Sequence, residues 1–312
     1  MIRHDTTEPA RRALLTLQDP SGGWAYRLGA PPCAEPTALA GLALLSSRGG
    51  PDHSADVRRA ADWLATIQRP DGSVGVSAAI PEPGWATPLA VLLWKAAAGH
   101  DDRCGRAGRW LLARQGRALS RAEDPQRIAG HDTSLVGWPW VADTHSWLEP
   151  TATAVLALDR LGLAGHPRVV EGRALIRDRA VASGGWNYGN KSVFGRALRA
   201  QPGPTGLALL ALAASGPRDA TVERARDYLL ATLPTVRAAA SLGWGVLGLR
   251  AWDDRPVAAD SWLAESLAAV IGRSDAAPRL ALLLLALGDG ALALFGRGST
   301  HSSSSSAAKE TS

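Results

Sequence analysis

The chain alternates between apolar segments and amphipathic ones. Four apolar segments open alike: EPTALAGLALL (35–45), ATPLAVLLW (86–94), EPTATAVLAL (149–158) and GPTGLALLAL (203–212). Their prolines, Pro36, Pro88, Pro150 and Pro204, align the segments at intervals of 52, 62 and 54 residues. Proline suits the first turn of a helix, where its missing N–H would have no partner anyway. Because the segments are apolar on nearly all sides, they predict helices that are buried all round.

Amphipathic stretches with Arg and Asp on one face lie between the apolar segments. They cover about 8–18, 54–68, 102–116, 167–181, 219–233 and 256–272. Two further buried helices are expected near 241–251 and 276–288. This alternation predicts an all-α fold, an α/α toroid of six helical hairpins with an inner and an outer ring. A closed ring needs no polar capping repeats at its ends. We expect one domain over residues 1–295 and a disordered, Ser-rich tail over 296–312.

The connections from outer to inner helix are long. They span 19–35, 69–86, 117–148, 182–203 and, less so, 234–241, and in a toroid they all fall on one rim beside the first turns of the inner helices. Long ordered loops commonly carry function. The third connection contains GWPWVADTHSWLEP (137–150), which is rich in Trp, Asp, His and Glu. The rim is therefore the predicted functional face.

The charge, the cysteines and the apolar segments limit which partners and which cell compartment are expected. The net charge of +5 comes almost entirely from arginines that are scattered along the chain, which argues against a nucleic-acid surface. Cys33 and Cys104 are isolated, which favours a reduced, cytoplasmic compartment without a disulfide framework. The start MIRHDTTEPARR lacks the apolar core of a signal peptide. The run LALLLLAL (280–287) is too short to cross a bilayer, although a peripheral membrane contact through this end stays open.

Two outer helices run into a repeated motif. ALLTLQDPSGGW (13–24) and WLATIQRPDGSV (63–74) share Leu, Gln and Gly at matching positions, and WLLARQ (110–115) keeps the first half. The motif resembles the QW repeat of squalene cyclases and the related repeat of protein prenyltransferase β subunits, and the resemblance covers most of residues 8–290. Gln is expected to cap the outer helix and Gly to allow a sharp turn. A structural role is expected for Trp24, Trp63, Trp110 and Trp186, which would fold back over the neighbouring hairpin.

The resemblance implies isoprenoid chemistry, yet the acidic motif of class II terpene cyclases is incomplete. Those enzymes protonate their substrate with the middle Asp of a D-x-D-D motif at the start of an inner helix. The nearest match is AWDD (251–254), in which Ala251 replaces the first Asp and the segment precedes an outer helix. Asp253 and Asp254 are therefore predicted to be N-terminal caps.

Protein prenyltransferases instead bind zinc through a D-x-C pair before an inner helix and a distant His. Asp143-x-His145 is similar in placement, with His in place of Cys. Zinc needs three or four ligands, which Cys33, His131 or Glu149 would complete only if the loops converge. No metal or other cofactor is predicted.

The candidate site therefore combines acids and aromatic rings on the rim. Asp143 is the candidate acid or its partner, and His145 the group that orients it. Glu149 and Glu35 either join the catalytic set or simply stabilise the first turns of their helices. A carboxyl enclosed by tryptophans would have a raised pKa and could donate a proton. The candidate substrate-binding residues are Trp85, Trp138, Trp140, Trp147, Tyr188 and Trp244, whose rings can stabilise a carbocation.

Three functions remain open from the sequence. The first is an enzyme that acts on an isoprenoid by acid-initiated carbocation chemistry in an aromatic cavity. The second is a non-catalytic scaffold that binds a lipid or peptide on the same fold. The third is a zinc-dependent prenyltransferase that requires a second subunit. The first two imply a hydrophobic small molecule as partner, and the sequence names no protein partner.

Overall fold

The computed structural model describes residues 3–47, 51–119, 130–193 and 195–296. Within these ranges the helices form two rings. The outer ring comprises α1 (Arg3–Thr16), α3 (Ser54–Thr66), α5 (Asp101–Ala113), α7 (Pro167–Asp178), α9 (Ala220–Thr232) and α11 (Ala259–Val270). The inner ring comprises α2 (Ala34–Leu45), α4 (Thr87–Ala97), α6 (Leu148–Arg160), α8 (Pro202–Leu212), α10 (Ala239–Arg250) and α12 (Ala276–Leu287). The all-α class is confirmed.

Each inner helix packs against the next, and α12 packs against α2, so the inner ring is closed. The outer helices lie against one or two inner helices each, as α3 does against α2 and α4. Their apolar stripe faces inward because the helices are amphipathic, with the strongest segregation in α3 and α5. This packing gives the toroid that the alternating pattern predicts. The predicted tail, from residue 297 on, lies outside the described residues.

Small elements complete the two ends of the ring. On the rim, a hairpin of β1 (Ser192–Val193) and β2 (Arg196–Ala197) extends the loop between α7 and α8. A 3-10 turn (Leu233–Thr235) forms the first half of the short connection between α9 and α10. The four-residue α13 (Ala291–Leu294) packs against α2, α4 and α12 at the opposite end. In the part of the chain that the structure describes, every helix falls short of the length and apolarity that a membrane span requires.

Three tryptophans join an outer helix to the following inner helix in the same way. The backbone N–H of Trp24 donates to Thr37 Oγ1 at 2.8 Å, and its indole donates to the carbonyl of Leu14 at 2.8 Å. The same two bonds are made by Trp138 to Thr151 and Leu111, and by Trp186 to Thr205 and Ile176. Each carbonyl lies in the last turn of its outer helix, where it has no partner within the helix. The indole therefore caps the helix end.

The glutamines of the repeat motif have a different role from the one expected. Gln18 Nε2 donates to the carbonyls of Gly22 and Asp56, at 2.9 and 3.0 Å, so it ties its own turn to the first turn of the next outer helix. Gln68 does the same with Gly72 and Arg103. Gly22 adopts a φ of +103°, and a Cβ there would lie 2.5 Å from the carbonyl oxygen of Arg59. Only glycine allows the turn to approach the next outer helix so closely.

Candidate functional site

Four threonines set the rotation of four inner helices about their axes. Thr37, Thr87, Thr151 and Thr205 are fully buried, and each accepts a backbone N–H from the preceding loop, donated by Trp24, Val74, Trp138 and Trp186 respectively. Each threonine therefore faces the outer ring. Because an α-helix turns by about 100° per residue, side chains two positions before or after it point the opposite way. Those positions face the axis of the toroid.

The positions two residues before the threonines form one layer at the rim. They are Glu35, Glu149 and Gly203, on the inner helices α2, α6 and α8, and Trp85, in the turn that leads into α4. The side chains of Glu35, Trp85 and Glu149 remain partly accessible although these helices are otherwise nearly sealed. This layer corrects the alignment on prolines for the second repeat. Thr87, not Pro88, matches Thr37, so the equivalent of Glu35 and Glu149 in that repeat is Trp85.

The next layer inward is almost wholly apolar. It consists of the residues two positions after the threonines: Leu39, Leu89, Thr153 and Leu207. Thr153 is the one polar member, and its hydroxyl is occupied by the carbonyls of Glu149 and Pro150, at 2.9 and 3.2 Å. The axial space, by which we mean the region that these two layers surround, thus has carboxyls at the rim and hydrocarbon below them.

Glu149 has the enclosed carboxyl with a raised pKa that was expected on the rim. Burial raises the pKa of its carboxyl to about 7, and the negative charge of Glu35 adds to the rise. Burial also raises the pKa of Glu35, while a hydrogen bond from the Tyr26 hydroxyl opposes that rise. The Tyr26 hydroxyl favours the ionised form of Glu35, whereas burial and the charge of Glu35 both favour the protonated form of Glu149. Because the two carboxyls interact, they titrate as a pair.

Asp143 does not have the enclosure that its predicted role as an acid requires. It is exposed, with a φ of +59°, and lines a shallow groove with Gln115, Gly116 and Arg117. The left-handed backbone at Asp143 directs the loop across the surface, and the backbone N–H of Arg117 donates to the carbonyl of Thr144 at 2.8 Å. A carboxyl walled in by tryptophans is therefore not found at Asp143, and the enclosed acid nearby is Glu149, in the first turn of α6.

His145 lies beside Trp147, with their ring centroids 4.5 Å apart and their planes tilted by 36°. The imidazole is exposed, and partial burial and the positive charge of Arg179 lower its pKa. Arg179 is itself buried and donates to the carbonyls of Ser146 and Gly189, at 3.3 Å each. Neutral imidazole is thus favoured at the mouth of the axial space.

Four of the six predicted aromatic residues divide into three groups. Trp85 and Trp140 meet edge to face at the rim, with centroids 5.2 Å apart. Trp147 immediately precedes α6 and flanks His145. Trp138, in contrast, is a core residue: its indole caps α5, and the Arg168 guanidinium stacks on its ring at 4.5 Å. The ring is buried, Arg168 covers one of its faces and its N–H is bonded to Leu111, so Trp138 has a structural role in this fold.

Tyr188 and Trp244 lie apart from the rim layer. Tyr188 is 51% exposed, and its backbone carbonyl accepts from the N–H of Leu148 at the start of α6. The loop GGWNYGN therefore supports that helix from outside. Trp244 lies in the middle of α10 and packs edge to face with Phe295, at 6.3 Å, near the end closed by α13. It lies near the end closed by α13 and not at the acidic rim.

The aspartates of AWDD are not helix caps. Residue Ala258 precedes α11, and Asp254 instead pairs with Arg218 at 2.7 Å and with Arg226 at 2.9 Å. Asp253 occupies the connecting turn with a φ of +63°. The two ion pairs of Asp254 connect α9 and the residue Arg218 before it to the turn between α10 and α11, on the side away from the rim. The tertiary position of the arginines decides this, since they lie 28 or more residues away in the chain.

The convergence required for zinc is also absent among the residues that the structure describes. No three His, Cys, Asp or Glu side chains come together there in a way that could hold a metal ion. Cys33 does lie near Glu35. Burial is the largest cause of the raised pKa of the Cys33 thiol, and the negative charge of Glu35 is the second. His131 has an interaction with another group.

The residue that sequence reasoning missed is Tyr26. It lies in the first long loop, without a repeat position to mark it, and reaches Glu35 through the fold. A signal for the layer itself was present. The string EPTA occurs at 35–38 and again at 149–152, and alignment on its threonine instead of its proline places Trp85 with the two glutamates.

Comparison with known proteins identifies the fold. No protein-family model and no curated protein matches the chain. Among solved structures, the type II terpene cyclase MstE from Scytonema, as a variant in complex with geranylgeranyl dihydroxybenzoate (substrate), has a TM-score of 0.63 at 15% identity and covers 92% of this chain and 97% of its own. A variant in complex with merosterolic acid A (product) has a TM-score of 0.57 at 19% identity over 84% and 79%.

A protein from Actinoplanes has a TM-score of 0.62 at 17% identity, over 92% of this chain and 98% of its own. Identities this low show a common fold and do not transfer an activity. The closed double ring, the rim loops and the resemblance of the repeats agree with this result. The chain therefore has the same α/α toroid fold as these solved structures.

Proposed function

We propose that this protein acts on an isoprenoid by protonating one of its double bonds, with Glu149 as the acid. The observation that carries the proposal is the enclosed carboxyl of Glu149, whose pKa is raised to about 7 at the rim end of the axial space. A general acid works best when its pKa is near the working pH, because it is then protonated and still able to donate. In this proposal Glu149 takes the role of acid that the sequence assigned first to Asp143.

The surroundings of Glu149 suit the cation that such a protonation creates. Trp85, Trp140 and Trp147 present ring faces and edges at the rim, and the layer below is hydrocarbon. An aromatic face attracts a desolvated cation by about 2 kcal/mol. A polyprenyl chain would lie along the leucines of the second layer without leaving a polar group unpaired. His145, neutral and exposed, would contact the polar end of a substrate at the mouth.

The structural neighbours support the class of ligand. MstE has been captured with geranylgeranyl dihydroxybenzoate as substrate and merosterolic acid A as product, both hydrophobic molecules. The present chain has the same fold, and its axial space combines carboxyl and aromatic groups at one end with an apolar wall beyond. These features favour a hydrophobic small molecule as its partner.

The test compares two carboxyl-to-amide variants. Purified protein is incubated with farnesol, geranylgeraniol and geranylgeranyl dihydroxybenzoate, and the products are separated by gas chromatography with mass detection or by liquid chromatography. Glu149→Gln keeps the size of the side chain but removes the proton, so conversion is expected to fall by about a hundredfold or more. Asp143→Asn, the matched change at the exposed carboxyl of the same loop, is expected to retain wild-type conversion.

The opposite ranking, in which Asp143→Asn abolishes conversion and Glu149→Gln does not, would transfer the role of acid back to Asp143. Tight binding of these probes by wild-type protein that converts none of them would support the non-catalytic scaffold instead. Folding of both variants is checked by circular dichroism and by the thermal midpoint.

A further inference from the structure

Two glutamates face the same end of the axial space, and only one of them is needed to start the reaction. Glu35 and Glu149 occupy equivalent positions, two residues before Thr37 and Thr151, on helices that both neighbour α4. Both side chains remain partly accessible in a part of the structure where the adjoining residues are buried. Their charges interact, since ionised Glu35 makes Glu149 harder to ionise. Glu35 is thus within reach of the same bound molecule.

The two carboxyls differ in their hydrogen bonds. The Tyr26 hydroxyl donates to Glu35 Oε2. This bond stabilises a carboxylate, which then keeps one oxygen free to accept a proton. The other titratable and charged groups at this rim are the Cys33 thiol, which the charge of Glu35 affects, and His145, which the charge of Arg179 affects. The hydrogen bond to the Glu35 carboxyl comes from Tyr26.

We propose that Glu35, oriented by Tyr26, is the base that ends the reaction begun by Glu149, and that the product is accordingly a double-bond isomer or a singly cyclised alkene. The proposal rests on the function proposed above. Because acid and base lie in one layer, the positive charge must be quenched close to the carbon that was protonated. A charge that travelled along several ring closures would end in the apolar region below, away from Glu35.

The atoms balance without a further reactant. The O–H bond of Glu149 breaks, its electron pair stays on the carboxylate, and the proton forms a new C–H bond with one alkene carbon. The resulting cation either stays in place or is attacked by a second double bond, which closes one ring. A neighbouring C–H bond then breaks, its electron pair forms the new double bond, and Glu35 takes the proton. Transfer of that proton to Glu149 restores the starting state, so the product is an isomer of the substrate.

The test uses Glu35→Gln, Tyr26→Phe and, as matched control, Glu82→Gln. Glu82 is an exposed rim carboxyl paired with Arg69, so its variant reports the effect of the same chemical change away from the axis. The substrates are the three isoprenoids named above. Wild-type protein is expected to give isomeric alkenes with at most one new ring. With Glu35→Gln the cation still forms but is captured by water, so alcohols are expected to replace alkenes, with the alkene share reduced at least tenfold.

The pH profiles separate a chemical role from a structural one. Glu35→Gln removes the charge that opposes ionisation of Glu149, so the falling limb of the rate is expected to move to lower pH by about one unit. Tyr26→Phe raises the pKa of Glu35, so the alkene share is expected to drop at low pH and to recover at higher pH. A variant that was merely misfolded would lose rate at every pH without changing the products.

Each outcome has one meaning. A wild-type product with three or more new rings overturns the inference, and so does unchanged alkene formation by Glu35→Gln, while both leave the role of Glu149 intact. Absence of any conversion by wild-type protein removes the proposed function and the inference with it. Glu82→Gln is expected to match the wild type, and a loss of alkenes in that variant as well would also count against a specific role for Glu35.

Discussion

A glutamate, a proline and a threonine open both α2 and α6, and the threonine decides which way the glutamate points. Its hydroxyl is bonded to the tryptophan at the end of the preceding turn, so the side chain two residues earlier must face the axis. Glutamate near a helix N-terminus commonly interacts with the helix dipole. Glu149 is also enclosed, and burial raises the pKa of its carboxyl. The side chain of Asp143, in contrast, is exposed.

The enclosed carboxyl makes stability depend on pH in a definite direction. The pKa of Glu149 rises from 4.5 to about 7 on folding, so the native state holds a proton that the unfolded chain has already lost. The corresponding stability is fully present below pH 4.5, is lost progressively as pH rises to about 7, and changes no further above that.

We therefore expect Glu149→Gln to gain stability relative to wild type over this pH range, by up to about 3 kcal/mol in the free energy of unfolding at pH 8. Water in the axial space would reduce that figure. The measurement is urea denaturation at pH 4.5, 6 and 8, with Asp143→Asn as control. A constant difference between Glu149→Gln and wild type at all three pH values would contradict the enclosure of this carboxyl.

At the scale of the elements, α8 and α10 make the closest contact between inner helices. A Cβ on Gly206 would lie 2.1 Å from the carbonyl oxygen of Trp244, and one on Gly248 would lie 2.4 Å from that of Gly206. Backbone carbonyls cannot yield as a flexible side chain can. Gly203, one turn earlier on α8 and in the rim layer, has no such neighbour, because its Cβ would be 3.7 Å from the nearest atom.

Alanine substitutions at these two glycines are expected to have opposite effects. Gly206→Ala must separate α8 from α10 and is expected to cost about 3 kcal/mol of unfolding free energy. Gly203→Ala adds a methyl group at an ordinary contact distance. Alanine also loses less conformational entropy than glycine when the chain folds into a helix, so the variant is expected to be as stable as wild type or more stable by about 0.5 kcal/mol. Thermal midpoints of the two variants provide the comparison, and equal midpoints would show that the helices are not in such close contact.

The whole molecule has one end that carries chemistry and another that is closed. At the closed end Arg250 donates to the carbonyls of Gly288 and Asp289, and the N–H of Gly290 donates to the carbonyl of Ser46. These bonds hold α13 across the ends of α2, α4 and α12. Phe295 is buried and contacts Trp244 from below. The axial space thus has its carboxyl groups at the rim and an aromatic floor.

Removal of that floor tests the arrangement. Phe295→Ala is expected to lower the unfolding free energy by about 3 kcal/mol because a buried ring is lost. Leu294→Ala, at the neighbouring half-buried position, is expected to cost less than half as much. Trp244 fluorescence is expected to shift to the red in Phe295→Ala as water reaches the indole. An unchanged spectrum together with unchanged stability would mean that Phe295 does not close the ring.

The helices and their pairing followed from the sequence alone, because an apolar segment buried on all sides and an amphipathic one differ in a pattern that each segment carries within itself. The approximate bounds of α2, α6 and α8, the alternation of rings and the long loops on one rim all belong to this level. So did the presence of tryptophans, acids and a histidine in the third long loop. These properties depend on neighbours within one or two turns of chain.

The tertiary structure alone decided which of those residues face the axis. Trp138 and Trp147 lie in the same loop, yet one caps α5 and the other borders His145. Asp143 and Glu149 are six residues apart, yet only Glu149 is enclosed, because enclosure depends on ring closure and on the rotation that Thr151 imposes on α6. Tyr26 joined the site through a contact with another element. Exposure, hydrogen bonding and charge are set by residues distant in the chain, and the pattern of one segment does not encode them.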